Sequence, residues 1–279
     1  MAVAPPQAAG AGMRYRPEID GLRAIAVLAV LVYHLAPALA PGGFVGVDVF
    51  FVISGFLITG LTLRRLRDGR FSLADFFAKR VLRLLPAVLV VLAATLVVGA
   101  GLYGPETRAA LGAQAAAASV FGANIHYYAT TDYFSAPVET RPLLHLWSLG
   151  IEEQFYLLAP IGLMALWRRP RALVVGIAAV VIGSLAAGVV ATGRDPSAAF
   201  YLLPFRAWEL GLGALLAVLP ARRLPLAAPA GLALIAAAVF GFDHATAFPG
   251  VAALLPTVGA GLVLVGRPGP AHRALSTAP

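Results

Sequence analysis

Cysteine is absent from this chain of 279 residues, which excludes disulfides, thiolate nucleophiles and cysteine-ligated metals. Charge is scarce: Asp, Glu, Lys and Arg make up 12% of the residues, while 60% are hydrophobic and the mean hydropathy is +0.85. No soluble domain needs that much apolar surface, and runs of about twenty apolar residues, enough to cross a bilayer as a helix, recur along the chain. A glycine-rich phosphate loop is missing; Gly42-Gly43 and Gly211-Leu212-Gly213 read as turn and helix-packing glycines. Ser54 and Ser148 stand outside any G-x-S-x-G setting and read as helix-contact hydroxyls. No internal repeat argues for the inverted halves of a transporter. No metal is implied. Residues 1–12 lack the basic start of a secretory signal and read as a flexible tail, with Met13, before Arg14, Tyr15 and Arg16, as a candidate initiator.

What is present points to an all-α, polytopic bundle of about eight membrane helices, at 21–40, 44–63, 81–102, 145–166, 172–192, 200–219, 225–241 and 249–266. These lie in a transmembrane domain over 16–267, between cytoplasmic tails at 1–15 and 268–279. The basic residues orient it. Of the 21 lysines and arginines, 17 gather at one set of span ends, among them Arg64–Arg70, Lys79–Arg83, Arg168–Arg171 and Arg222-Arg223. Only Arg108, Arg141, Arg194 and Arg206 are left for the other side, which puts both termini in the cytoplasm of a cell-membrane protein. The same rule keeps the alanine-rich stretch 106–123 from being a further span. Residues 103–144 are therefore expected outside, with an interfacial or re-entrant helix near 106–122 and an aromatic stretch, His126 to Phe134, at the membrane surface. The net charge of +8 is thus topological, and nucleic acid is not an expected partner.

Polar residues inside the spans are costly and default to functional candidates. His34 lies in an otherwise apolar run, eleven positions after Arg23, which is about three helical turns and roughly 16 Å along one face. Asp20 falls near the same stripe. Counting from the span ends, His34, Glu152 and Glu153, Asp48, Arg206 and Glu209 share one layer, roughly 6–14 Å deep in the outer half of the membrane. A Glu152 or Glu153 carboxylate beside His34 would orient the ring and raise its basicity for general-base work. The alternative is a set of structural ion pairs locking helices together. Near the cytoplasmic ends Arg80 and Arg83, three apart before Pro86, offer paired guanidinium groups suited to phosphate, with Arg23 at a similar level. Topological anchoring is the competing reading there. Together the two clusters suit a long donor with phosphates at one end and a thioester at the other, the shape of a coenzyme A ester.

The segments carrying these residues resemble the membrane acyltransferase 3 family, O-acyltransferases of cell-surface polysaccharides and related acceptors. They are Arg16–Val27 leading into the arginine–ten residues–histidine motif, Gly46–Ile58, the R-x-x-R-x-x-P element Arg80–Pro86, Pro142–Leu157 with Trp147-Ser148-Leu149-Gly150-Ile151-Glu152-Glu153-Gln154, and Arg206–Gly211. The resemblance assigns catalysis to His34 and acyl-CoA contacts to Arg80 and Arg83; on the residue reading Glu152 or Glu153 orients His34 and Arg23 joins the donor contacts. Asp20, Asp48, Trp147, Arg206 and Glu209 form a polar layer that is either substrate-binding or structural, Arg206 being a candidate for a developing oxyanion. The implied donor is acyl-CoA, acetyl-CoA foremost, with no permanently bound cofactor, and the implied acceptor is a carbohydrate or small-molecule hydroxyl. Family members usually have about ten membrane helices, so a C-terminally truncated chain is expected. A transporter or flippase and an inactive scaffold remain as alternatives, and the oligomeric state is open.

Overall fold

The computed structural model describes residues 16–130, 141–220, 224–267 and 269–276. Among them the chain is helical, and the one extended contact is an isolated bridge between Leu224 and Gly266. The helices are α1 (Pro17–Leu35), α2 (Gly46–Arg67), α3 (Leu73–Leu102), α4 (Pro105–Ser119), α5 (Ala123–Thr130), α6 (Trp147–Leu166), α7 (Pro170–Thr192), α8 (Pro196–Tyr201), α9 (Leu203–Val218), α10 (Ala227–Gly241), α11 (Leu254–Val265) and α12 (Pro270–Ser276). Local chemistry sets their starts. Pro17, Pro105, Pro170 and Pro196 occupy first-turn positions where a missing N–H costs nothing. The Ser72 hydroxyl accepts from the Asp75 N–H at 3.3 Å to open α3, and the Asp195 carboxylate accepts from Ala198 at 2.9 Å to open α8.

Five stretches are long and apolar enough to cross a membrane: Gly43–Arg67, Leu73–Leu102, Leu144–Leu166, Pro170–Thr192 and Pro196–Val218. The chain is a multi-pass membrane protein. The other three expected spans are helical but lesser. Glu18, Asp20 and Arg23 load the first turns of α1 with charge. Helix α10 has 15 residues and α11 has 12, about 22 and 18 Å at 1.5 Å per residue, against roughly 30 Å of hydrocarbon. Leu226 at φ 60° delays α10, and turns through Phe248–Ala253 delay α11, which accounts for both shortfalls. The alanine-rich stretch expected as a surface helix is α4, ending in a turn with Phe121 at φ 57° before α5. Residues 131–134 of the expected aromatic stretch lie outside the described residues, as do the tail at 1–15 and Arg222-Arg223.

Helix α2 is the axis of the bundle, packed against α9, α1, α6 and α11. Small residues allow that closeness. A Cβ on Gly55 would collide with the Leu210 carbonyl, and one on Gly213 with the Val52 carbonyl, so α2 and α9 each need the other's glycine. Gly43 and Gly46 press likewise on the Ala29 and Ala26 carbonyls of α1. A Cβ on Gly42 would likewise collide with the Ala238 carbonyl of α10, so Gly42, Gly43 and Gly213 are packing glycines. At the opposite extreme stands α3, of whose apolar window 11% is buried, so that it presents Leu82, Val90, Val97 and Leu102 outward. A polar clasp holds α5 on α6: Asn124 and Gln154 exchange amide hydrogen bonds of 2.9 and 3.4 Å, and Asn124 also donates to the Tyr201 carbonyl at 3.0 Å.

Candidate active site

His34 sits in the last turn of α1, exposed to a cavity of about 480 Å³. Its Nδ1 lies 2.8 Å from the Val30 carbonyl oxygen one turn back. A carbonyl only accepts, so Nδ1 carries the proton and, in the neutral ring, Nε2 keeps the lone pair. The Tyr33 ring meets the imidazole edge-on at 5.2 Å. Around the cavity stand Arg141, His145, Trp147 and Ser148 opposite the apolar side chains of α1 and α2. The Ser148 hydroxyl donates to the His145 carbonyl at 3.3 Å. Burial of His126 on α5, and second to it the charge of Arg141, hold that imidazole below its usual range.

The expected carboxylate beside His34 is not found. Glu152 accepts a 2.7 Å hydrogen bond from Ser54 on α2 and a 3.5 Å one from Tyr156. Glu153 takes both guanidinium arms of Arg80, at 2.7 Å from Nη2 and 3.2 Å from Nε, and Arg80 lies 3.6 Å over the Tyr156 ring. Helical geometry explains it. The two glutamates stand about one and a half turns below Trp147, so they meet the middle of α2 and the start of α3 rather than the far end of α1. The backbone of α1 supplies the ring orientation that a carboxylate was expected to give. The donor-binding trio is likewise divided. Arg80 is tied to Glu153, Arg23 pairs with Asp20 at 3.3 Å, and Arg83 is exposed with no partner among the described residues.

The single polar layer also separates. Arg206 bridges Asp48 and Glu209 at 3.1 Å each, all three with side chains at most 1% exposed. Four rings enclose the guanidinium, with centroids 5.4–5.8 Å away: Phe248, Phe51, Phe200 and Trp147. Trp147 and Phe200 belong to both sites, walling the His34 cavity and covering Arg206. Arg206 therefore stands behind that wall and does not face an oxyanion formed at His34, whereas Arg141 and His145 do line the cavity. Asp20, exposed on the first turn of α1, is remote from this triad. Sequence reasoning missed Arg141 and His145 as cavity residues. The signal for Arg141 was its place among the few arginines on the sparsely charged side.

No group of three or more metal-ligating side chains occurs among the described residues. The chain is 39% identical over 228 residues to the peptidoglycan O-acetyltransferase OatA of Listeria monocytogenes, covering 77% of this chain and 36% of that protein. It is 41% identical over 215 residues to the O-acetyltransferase OatA of Staphylococcus aureus, covering 73% of this chain and 34% of that one. A putative peptidoglycan O-acetyltransferase of Bacillus subtilis, YrhL, is 37% identical over 222 residues, with coverage of 76% and 34%. The chain thus spans about a third of the length of these relatives. No solved structure matches it. Residues 16–276, from the pairing of Arg16 with Glu18 to the last turn of α12, match the acyltransferase domain family, and the chain belongs to that family.

Proposed function

We propose that this chain is the membrane module of an O-acyltransferase that moves an acetyl group from acetyl-CoA to a hydroxyl of cell-wall carbohydrate. The observation that carries the reading is His34, with Nδ1 anchored on Val30 and Nε2 left as the base, at the wall of a 480 Å³ cavity in a membrane bundle. Nε2 takes the proton of the acceptor hydroxyl as that oxygen bonds to the thioester carbonyl carbon. Arg141 and His145 are placed to meet the negative charge that develops on the carbonyl oxygen. When the tetrahedral intermediate collapses, the carbon–sulfur bond breaks, and the proton on Nε2 passes to the leaving thiolate. The donor enters from the cytoplasm, past Arg23 and Arg83, with its phosphates on that side and its thioester reaching His34. Both chain ends lie in the cytoplasm in this reading, and the names of the peptidoglycan O-acetyltransferase relatives support the acceptor class.

Acetyl-CoA labelled with ¹³C in the acetyl group, supplied to the protein in nanodiscs with peptidoglycan fragments, tests this. Mass spectrometry should find the label on a sugar hydroxyl, with free CoA released in equal amount. Label that stays in acetyl-CoA while substrate crosses the membrane would favour the transporter instead.

A further inference from the structure

Helix α7 packs along α9 and stands away from α6, leaving an apolar crevice of about 430 Å³ separate from the His34 cavity. Its walls come from α2, α6, α7 and α9, with Leu158 and Val180 exposed at the rim. Thr59 is the one polar side chain among the fifteen that line it, 1% exposed and without a hydrogen-bond partner among the described residues. Leu166 and Leu173 line one end. Between them in the chain lie Arg168, Arg169 and Arg171, all exposed, and no carboxylate pairs with any of them among the described residues. Trp167 beside them is half-buried, with the Arg168 guanidinium 5.1 Å over its ring.

We propose that this crevice is a binding site for an anionic phospholipid. One acyl chain lies between α6 and α7, and the headgroup phosphate sits on the Arg168–Arg171 cluster. Charge complementarity and continuity argue for this occupant. Three unneutralised guanidinium groups suit phosphate oxygens, and they stand in the connection whose flanking leucines line a slot that is apolar but for Thr59, a surface suited to alkyl carbon. A lipid held there would wedge the α6–α7 corner, where Leu63, Leu163 and Leu173 form a small core of their own. Basic residues that served topology alone would hold anionic lipid as a diffuse shell, with no dependence on the crevice.

Native mass spectrometry of the protein released from nanodiscs of equal phosphatidylglycerol and phosphatidylcholine separates these cases. The expected result is one retained phosphatidylglycerol, roughly tenfold enriched over phosphatidylcholine. The Arg168→Ala/Arg169→Ala/Arg171→Ala variant should lose the enrichment. Gly162→Leu should lose the retained lipid with the arginines intact. Gly162 lines the slot and a Cβ added there meets nothing within 4 Å, so the leucine starts from open space and projects its methyl groups into the path of the acyl chain. No enrichment in the wild-type protein, or enrichment unchanged in both variants, would overturn the site. Displacement of the lipid by excess inorganic phosphate would assign the arginines to a free anion and overturn it too.

Discussion

At the scale of single residues, His34 and Arg206 show how differently one membrane protein uses two costly side chains. His34 is exposed to a cavity and oriented by its own helix. In His34→Asn the amide nitrogen takes the place of Nδ1 and still donates to Val30, but no base remains. Transfer should fall about 10²–10⁴-fold at unchanged thermal stability, read by product formation and by melting in detergent. Arg206 is buried between two carboxylates. Arg206→Met leaves both without a cation and should cost about 3–5 kcal/mol, whereas Arg206→Met with Asp48→Asn and Glu209→Gln should recover most of that. Denaturant midpoints of the two variants make the comparison, and equal losses would remove the triad from the account. The identities of these residues were legible in the sequence, since each is an ionisable group in an apolar run. Their partners were not. Depth along a helix was read from spacing, but which face meets which neighbour depends on rotations that single spans do not disclose.

Among the elements, α2 and α9 are joined through reciprocal glycines, while α3 is largely exposed and packs chiefly on α4. Gly55→Ala and Gly213→Ala push a methyl group into facing backbone and should lower the folded yield in size-exclusion profiles, while Gly60→Ala and Gly183→Ala, which meet open space, should leave it unchanged. The Arg80–Glu153 pair, with 17% and 15% of the side chains exposed, ties α3 to α6. A double-mutant cycle with Arg80→Gln and Glu153→Gln should show coupling of about 1–3 kcal/mol in stability. Arg83→Gln should instead raise the KM for acetyl-CoA with little change in stability. Additive effects at Arg80 and Glu153 would return Arg80 to the donor site. Helices α1 and α3 begin at Pro17 and Leu73, ahead of the apolar runs expected from 21 and 81, because hydropathy does not register the first-turn proline or the Ser72 cap. The shortness of α10 was legible in the brief apolar run 225–241, whereas that of α11 was not, because it comes from turns inside an apolar stretch that hydropathy averages over.

For the whole molecule, an all-helical membrane bundle followed directly from composition, and its orientation rests on the basic asymmetry. The absence of cysteine makes that easy to test, since any introduced thiol is unique. Glu106→Cys should react with an impermeant maleimide on intact cells, and Asp68→Cys, in the α2–α3 connection, should react only after permeabilisation. The reverse pattern would invert the bundle and the route of the donor. The central claim remains that His34 is the base of an acetyl transfer, and release of CoA thiol by the protein in nanodiscs with peptidoglycan fragments tests it most directly. The account predicts steady release by the wild-type chain and none above background from folded His34→Asn. Equal release from both would contradict it.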